Sequence, residues 1–358
     1  MTVPNTTPGT GVVADTDIRV NGARLPLDAR TDIESVTVLD DLSALSMFTL
    51  VLYNWDQEQL RVSWSDSSLF AIGAEVQIAL GFVNDLHRVM TGEITSLEPA
   101  FTSDQPPMLT VRGYDYRHRL ARGRKTRTFS HMKDSAIVSQ VARGAGLRAQ
   151  VKDTGTSLDY VVQHNQTDLE FLQKRAQLIG YELYVREKVL YFQPPQHAGR
   201  ASVTLQVGRD LTEFTPRLRS LDQVGEMTVR GWDAMQKEVI VGSAATGQES
   251  TTMGGRASGP RRTSRAFGKA GATSVDVPVQ TKARADQMAR GRFDDMALTY
   301  IQGEAECAGH PRLHAGTVVD IQGAGETFSG AYYLTSVTHT VAPSVGYRTY
   351  LDVRRNAA

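Results

Sequence analysis

The sequence lacks residues on which several classes of protein depend. Cys307 is the single cysteine among 358 residues, which excludes an intrachain disulfide and a zinc site built from several cysteines. No apolar run approaches the ~18 residues of a transmembrane helix. Residues 1–15 contain neither the basic nor the apolar segment of a secretory signal. We therefore expect synthesis and folding in a reducing cytoplasm, with no direct insertion of this chain into a membrane.

An excess of charge of one sign is also absent. Lys plus Arg and Asp plus Glu each number 39, which gives a formal net charge of zero. A protein that binds nucleic acid through general electrostatics shows a basic excess, so we expect no nucleic-acid recognition. The chain is nevertheless long for a single hydrophobic core, and two or three domains are expected.

The spacings that mark catalytic, metal and cofactor sites are missing as well. The sequence has no Gly-x-Ser-x-Gly elbow, Walker loop or zinc-protease helix. His310 and His314 are four residues apart, but Pro311 lies between them at the start of a strand, so they do not share a helical face. The glycine-rich segment 323–325 stands between two strands, where it predicts a hairpin turn and not a dinucleotide loop. We expect no catalytic residue, no metal, no cofactor and no enzymatic activity.

What the sequence does contain is a β pattern that occurs twice. Short runs of β-branched and aromatic residues alternate with Gly, Pro and Ser clusters, as in an antiparallel meander. Three C-terminal segments repeat earlier ones in the same order, at offsets of 243, 240 and 242 residues. The paired segments are 73–78 with 316–321, 94–97 with 334–337, and 109–112 with 351–354. Three collinear matches predict two related β-barrel domains in one chain.

Helical signals interrupt the β pattern in two regions. Asp134 is expected to cap a first helix, and Thr167 with Glu170 predicts a capping box at the start of a second. Thr281 is expected to cap a third helix, which ends near Leu298. These signals add a small α/β domain to the predicted barrels.

Together these patterns predict a mainly β fold with an α+β insertion. Segment 243–273 is rich in Gly, Ser, Thr and Arg and has almost no apolar period, so a long mobile loop is expected there. The expected divisions are a flexible N-terminal tail over 1–16, a first β-barrel over 17–122, an inserted α/β domain over 123–198, a second β-barrel made of 199–242 and 297–358, and a mobile loop plus helix over 243–296 inserted in the second barrel.

The ordered segments resemble the bacteriophage late control D family, the central hub proteins of contractile tails. They are also similar to the hub portion of the valine-glycine repeat spike proteins of type VI secretion. The likeness includes the helix start at 167–172 and covers nearly the whole chain. Its signature residues in the C-terminal block are Gly316, Val319, Ile321, Gly330, Tyr333, Thr335, His339 and Tyr347.

The resemblance implies a homotrimer whose subunits each carry two tail-tube-like β-barrels. Six similar barrels in a threefold ring would adapt a hexameric inner tube, or a tube-initiator protein, to a trimeric spike on the other face. Surrounding baseplate proteins are further expected partners, and segment 243–273 is expected to become ordered only against one of them or against a neighbouring subunit. The implied setting is a bacterial cytoplasm first, and then a phage tail, an extracellular injection particle or a type VI-like apparatus.

The chain ends at Ala358, whereas many members of the resembling family continue into an oligonucleotide/oligosaccharide-fold neck and a needle, some with a wall-cleaving domain. If the chain is complete, its spike is a separate protein and no lytic activity is carried over. If the chain is a shortened piece, that expectation fails.

A basic segment between the first barrel and the insertion has two interpretations. It contains Arg122, Arg124, Lys125 and Arg127. The simpler interpretation is a solvated linker. The alternative is a charged patch that lines a channel or docks a partner.

A different class of function stays open beside the hub. In a carbohydrate- or cell-wall-binding β module, the side chains of Trp55, Trp64, Tyr114 and Trp232 would form exposed platforms, whereas in a hub they pack in cores or between subunits. A wall hydrolase is a third alternative, for which the acid/base residues are missing. Exposure of the four aromatic side chains discriminates between the first two.

Overall fold

The computed structural model describes residues 13–233 and 236–358, and most of its strands belong to one thirteen-stranded sheet. Residues 1–12 of the expected N-terminal tail lie outside the described residues. The expected boundary at residue 16 is corrected, because Ala14 to Thr16 already pair with the hairpin strand 75–82.

Residues 14–114 form a seven-stranded antiparallel barrel. Its strands follow the order β2-β1-β5-β6-β7-β4-β3. Alternate residues such as Val36, Phe48 and Val111 point into a shared apolar core, as period-two patterning requires. The elements are β1 (Ala14–Val20), β2 (Ala23–Arg24), α1 (Leu27–Thr31), β3 (Ile33–Asp41), β4 (Met47–Tyr53), β5 (Glu75–Phe82), β6 (Asp85–Ala100) and β7 (Met108–Tyr114).

Two small sheets and two helices follow the first barrel. Strands β8 and β10 pair with each other, and β11-β12-β9 form a second sheet. The predicted capping box is confirmed, since the Thr167 hydroxyl accepts from the Glu170 backbone N–H and the Glu170 carboxylate accepts from the Thr167 N–H. The elements are β8 (Lys125–Lys133), α2 (Asp134–Gly144), β9 (Arg148–Val151), β10 (Ser157–Gln166), α3 (Asp168–Leu178), β11 (Glu182–Arg186) and β12 (Val189–Gln193).

The rest of the chain forms a six-stranded second barrel with a long insertion. Barrel strands follow the order β13-β19-β20-β21-β18-β14, and a bridge between Val207 and Leu211 joins β13 to β14. The elements are β13 (Val203–Gln206), β14 (Leu211–Leu218), β15 (Glu226–Asp233), β16 (Glu238–Ala245), α4 (Gly259–Phe267), β17 (Gly271–Ser274), α5 (Lys282–Leu298), β18 (Ile301–Ala308), β19 (Val318–Gln322), α6 (Gly325–Phe328), β20 (Gly330–Ala342) and β21 (Gly346–Arg355).

The insertion departs from the sequence-based expectation. Residues 226–242 were expected in the second barrel, but β15 and β16 pair with β17 in a separate sheet. The expected loop over 243–273 contains α4 and β17, and Met253 is buried. A helix that begins at Gly259, has Pro260 in its first turn and continues with five consecutive polar residues gives no apolar period, so periodicity could not reveal it.

The insertion and the inserted domain share one hydrophobic core. Ile137 and Leu172 of α2 and α3 belong to the same buried cluster as Val229 of β15 and Phe293 of α5. We call this common unit, residues 116–193 and 226–298, the α/β body. Two segments that are distant in sequence thus fold as a single unit beside the barrels.

Five strands of the first barrel, β3 to β7, match β14 and β18 to β21 of the second in the same order, which explains the repeat. The match ends at the edge, where β1 runs antiparallel to β5 but β13 runs parallel to β19. Bulges occur at equivalent places: one separates Ile94 from Ser96 in β6, and one separates Leu334 from Ser336 in β20. Glycines 73 and 316 both have positive φ, 87° and 80°, and their N–H groups donate to the carbonyls of Ile94 and Leu334. A left-handed backbone at this turn is the reason for glycine in both copies.

One segment match in the repeat is displaced by two residues. The bulges superpose β7 on β21 with an offset of 240, so Val111 corresponds to Leu351. The sequence match at offset 242 paired Leu109 with Leu351 instead. A shift of two leaves the inward-facing pattern unchanged, so the residues alone could not distinguish the registers.

Candidate functional site

The two barrels are joined by a continuous β ladder. Residues Val36 to Asp41 of β3 pair antiparallel with Ser336 to Val341 of β20. Beyond the strand end, the N–H of Leu42 donates to the carbonyl of Thr335 over 3.2 Å. On one side, strand β20 therefore pairs with β19 through its first residues and with β3 through its last, while β21 of the second barrel pairs along its other side.

His339 occupies the centre of this junction and is fully buried. Its Nε2 lies 3.1 Å from the carbonyl of Leu313, which can only accept, so Nε2 carries the proton. Nδ1 then accepts from the Tyr347 hydroxyl at 3.0 Å, with the Thr349 hydroxyl at 3.2 Å. Burial lowers the pKa of His339 to about 4, so the ring is neutral and acts as a hydrogen-bonding core residue.

Tyr347 links the hydrophobic cores of the two barrels. It belongs to β21 of the second barrel, yet it packs in the core of the first, with its ring 5.9 Å from that of Phe82. Gly309 leaves room for the ring, because a Cβ there would lie 2.0 Å from it. The signature tyrosine thus fastens one repeat to the other.

The other signature residues have structural positions around the same strands. Val319 and Ile321 are core residues of the second barrel. Gly330, with φ of 131°, lies against the guanidinium of Arg355. Thr335 is the bulge residue, and its hydroxyl donates to the carbonyl of Asp352 over 3.3 Å.

Tyr333 connects the second barrel to the α/β body. Its hydroxyl lies 2.8 and 2.7 Å from the two carboxylate oxygens of Glu182 in β11. Burial raises the pKa of Glu182 to about 7, against the lowering effects of the Tyr333 hydrogen bond and the Arg186 charge. The contact is therefore a titratable bond between two parts of the fold.

The basic segment is largely neutralised inside the α/β body. Lys125 and Arg127 both contact the Asp168 carboxylate at 2.6 Å, at the first residue of α3. Arg124 pairs with Glu170 at 3.0 Å. Arg122 is exposed and does not belong to these pairs. Three of the four charges thus fasten β8 to the start of α3, and a channel or docking role stays a prediction.

Sequence reasoning missed a buried arginine that joins the first barrel to the α/β body. Arg117 is 1% exposed and pairs with Asp115 at 2.7 Å. Its guanidinium also donates to the carbonyl of Asp41 at 2.8 Å and to the Ser46 hydroxyl at 3.0 Å. The only signal was the pair Asp115-x-Arg117 directly after a strand, which has no spacing of its own to mark it.

A second buried ion cluster holds the α/β body together. Asp134 was expected to cap α2, but Lys133 is the N-cap residue. The Asp134 carboxylate instead contacts Arg175 of α3 at 2.6 Å and Arg284 of α5 at 2.8 Å. Partners 41 and 150 residues away could not be predicted from local sequence.

The duplication leaves two edges that match the junction but are unpaired among residues 13–233 and 236–358. Strand β14 corresponds to β3 and ends the large sheet. The end of β6, residues 96–100, corresponds to the junction part of β20 and pairs only with β7 within the described residues. Each edge carries a proline, Pro216 and Pro99, a residue found on exposed strand edges because it has no N–H to donate.

All of the α/β body leaves the barrels from one end. The loop 42–46 and the exit after β7 meet there in the first barrel, where the Asp115 N–H donates to the Ser46 carbonyl over 2.9 Å. In the second barrel the insertion leaves and returns at the equivalent end, where Arg219 N–H donates to Tyr300 over 2.9 Å. The opposite end carries the equivalent short turns 101–107 and 343–345.

The four aromatic side chains whose exposure distinguishes a binding module from a hub differ in burial. Trp64 is partly buried, donates to Asp32 over 2.8 Å and packs edge-on against Phe70. Tyr114 is also partly buried, whereas Trp55 is 39% and Trp232 is 59% exposed. Trp55 follows β4 and Trp232 lies on β15, so the two exposed rings come from different sheets.

The described residues offer neither a metal cluster nor a membrane-spanning helix. Within residues 13–233 and 236–358, no group of three or more His, Cys, Asp or Glu side chains is placed to hold a metal ion. In the same residues, no helix has the length and apolarity that crossing a bilayer requires.

Comparisons with known proteins give one family match and several solved structures of similar fold. The model of the Alg8 N-terminal domain family matches residues 10–343, and no curated protein matches the chain. The 43 kDa tail protein of prophage MuSo2 from Shewanella oneidensis is 14% identical, with a TM-score of 0.70 over 96% of this chain and 98% of that one. A tail protein from Neisseria meningitidis MC58 is 14% identical, with a TM-score of 0.69 over 96% and 97%.

A third similar structure is the E. coli c3393 protein, a component of the type VI secretion system that resembles the T4 bacteriophage tail proteins gp27 and gp5. It is 14% identical, with a TM-score of 0.60 over 95% of this chain and 77% of that chain. These likenesses confirm the expected mainly β, tail-protein-like fold and the resemblance to tail hubs at the level of fold.

Proposed function

The chain belongs to the Alg8 N-terminal domain family, and we propose that it is the structural hub of a contractile injection machine. In this role three copies form a ring at the centre of the baseplate of a phage tail, an extracellular injection particle or a type VI-like apparatus. The ring contains six similar barrels, so it adapts a hexameric inner tube to a trimeric spike. The protein contributes binding surfaces and no turnover.

The observation that carries the proposal is the ladder between β3 and β20. It is a contact between two similar barrels, and its two counterparts, β14 and the end of β6, are open edges. When β14 of one copy meets the end of β6 in the next, the same contact forms again between copies. Three copies then alternate three internal and three external contacts and close a ring.

The internal register predicts which residues meet between copies. Because β6 corresponds to β20 and β14 to β3, the pairing of Ser336 with Asp41 transfers to Ser96 with Arg219. The same transfer sets Ala100 opposite Thr215. This pair corresponds to one of the non-hydrogen-bonded pairs of the ladder, whose Cα atoms approach to about 4.5 Å.

The two ends of the ring differ in a way that suits two partners. The end with turns 101–107 and 343–345 carries an equivalent hairpin in both barrels, so it suits the inner tube or a tube-initiator protein with sixfold symmetry. The end with the α/β body occurs once per chain, so it suits a separate trimeric spike and surrounding baseplate proteins. Assembly in the bacterial cytoplasm precedes incorporation into the particle.

Cysteine cross-linking tests the ring directly. The variant Ala100→Cys/Thr215→Cys carries two exposed thiols that are expected to face each other between copies, at a separation a disulfide can bridge. Native Cys307 is 2% exposed, and burial raises its thiol pKa to about 12, so it stays unreactive. Mild oxidation at high protein concentration is expected to give a covalent species of three chains.

The matched control is Ala100→Cys/Arg219→Cys, whose second thiol lies four residues along β14, about 13 Å from the expected partner. It is expected to stay a single chain under the same oxidation. Equal cross-linking of both variants, or none in either across the concentration range, contradicts the proposed ring.

A further inference from the structure

Two exposed cations stand on the outer face of β14 and directly after its end. Arg217 and Arg219 are exposed, and neither forms an ion pair within the described part of the chain. They line a groove on the face of the second barrel together with Glu304 and Asp352. Burial raises the pKa of Asp352, and the nearby negative charges of Glu304 and Asp41 raise it further. Several carboxylates therefore already lie close together on the acidic side of the groove.

The other open edge carries a carboxylate on the corresponding face. Glu98, near the end of β6, contacts Arg112 at 3.1 Å, and its side chain is 48% exposed. By the transferred register, Glu98 of one copy comes directly opposite Arg217 of the next, with Arg219 two residues further on. Opposite charges in directly facing positions of an antiparallel pair stabilise that pair.

The internal junction has no such charges at the equivalent positions. There the counterparts of Glu98 and Arg217 are Thr338 and Leu39, which face each other in the β20–β3 ladder. The contact within the chain is therefore uncharged at this point, and Tyr347 adds its ring to both barrels. The contact between copies differs in chemistry although its geometry is repeated.

Backbone pairing is also weaker between copies than inside the chain. The hydrogen bond from Leu42 to Thr335 fixes which pairs of the ladder exchange hydrogen bonds, and His339 with Val38 is one of them. The transferred register sets Pro99 opposite Pro216 at that position. Neither proline has an N–H, so two ladder bonds are lost there.

We infer that the contact between copies is held in register by an ion pair of Glu98 with Arg217, supported by Arg219, and that salt weakens it. This inference rests on the proposed ring. The partner on each open edge is a second copy of this chain. Proline on both edges keeps single copies from pairing at random, and the charges select the correct register.

A charge swap tests the inference in the full chain. The variants are Glu98→Arg, Arg217→Glu and both together, and light scattering over a dilution series gives the concentration at half-assembly. Each single reversal sets like charges opposite each other and is expected to raise that concentration about tenfold. The double variant restores the opposite charges and is expected to return close to the wild-type value.

Salt dependence supplies a second readout. Raising NaCl from 50 mM to 500 mM is expected to weaken assembly of the wild type and of the double variant, because exposed ion pairs are screened. Glu58→Arg, an exposed position on the loop after β4, is the control and should leave the half-assembly concentration unchanged.

Failure of the inference differs from failure of the ring. If Ala100→Cys/Thr215→Cys links three chains but the single reversals assemble like the wild type, the ion pair is refuted and the ring stands. If single reversals weaken assembly and the double variant does not recover, the specific pairing is refuted. If no three-chain species forms for any variant, the ring itself is refuted, and this inference with it.

Discussion

The Tyr347 hydroxyl donates a hydrogen bond to Nδ1 of His339 over 3.0 Å, although the Tyr347 ring packs in the core of the other barrel. One side chain thus belongs to the polar centre of the junction and to the apolar core of the first barrel. The junction is therefore part of the folded chain and not a hinge between independent domains.

Substitutions of Tyr347 separate these two contributions. Tyr347→Phe keeps the ring and removes the hydroxyl, so it is expected to lower the free energy of unfolding by about 1 kcal/mol. Tyr347→Ala also empties the space beside Phe82 and is expected to cost about 3–5 kcal/mol. Urea unfolding measures both values. Equal losses for the two variants would show that the ring does not stabilise the junction.

Gly309 allows the Tyr347 ring to sit where it does. Gly309→Ala places a methyl group about where the ring lies, 2.0 Å from its nearest atom, and is expected to cost about 1–3 kcal/mol through overpacking. Gly144→Ala is the control, because nothing lies within 4 Å of a Cβ there. Thermal unfolding should show a lower melting temperature for the first variant alone, and equal melting temperatures would refute the close approach.

Glu182 makes stability depend on pH. Its folded pKa is about 7 against an ordinary value of 4.5, so between these pH values only the unfolded chain ionises it. The free energy of unfolding therefore falls as the pH rises through this window, and the loss is complete above about pH 7. The groups facing Glu182 are Tyr333, Arg186 and Asp295.

The substitution Glu182→Gln tests this dependence, because glutamine still accepts a hydrogen bond from Tyr333 but does not ionise. Relative to this variant, the wild type is expected to lose roughly 2 kcal/mol between pH 5 and pH 8. Other titrating groups are common to both chains and cancel in the difference. A difference that stays constant with pH, or grows in favour of the wild type, would contradict the assignment.

Arg117 is expected to be the costliest polar residue to replace. Arg117→Met leaves Asp115 buried without its cation and removes the bonds to Asp41 and Ser46, so about 3–5 kcal/mol is expected to be lost. Arg122→Met, at an exposed position nearby, should change stability by less than about 0.5 kcal/mol. Denaturant unfolding measures both changes in the free energy of unfolding. A similarly small change for the two variants would refute the stabilising role of the buried Arg117 contacts.

The sequence revealed the repeated barrels because their signals are local. Gly73 and Gly316 open equivalent strands with a left-handed turn, and the bulges before Ser96 and Ser336 keep the same residues inward. The capping box at Thr167 was predictable for the same reason. Each of these features depends on residues within a few positions of one another.

The remaining features depend on partners far apart in the chain. Asp134 was expected to be a helix cap, but Arg175 and Arg284 bind it from two other helices. Strands β15 and β16 were predicted to belong to the second barrel, because an alternating apolar pattern does not reveal which hydrophobic core the strand faces. The open edges β14 and β6 were likewise invisible, since an edge is defined by the absence of a neighbour.

The decisive measurement for the three-copy ring is the mass of the purified protein in solution by light scattering, followed by negative-stain averages. If the protein is the proposed hub, its mass is three times the 39.2 kDa chain mass, and the averages are rings with six similar lobes. A single-chain mass at every concentration, together with no cross-link between positions 100 and 215, would contradict it.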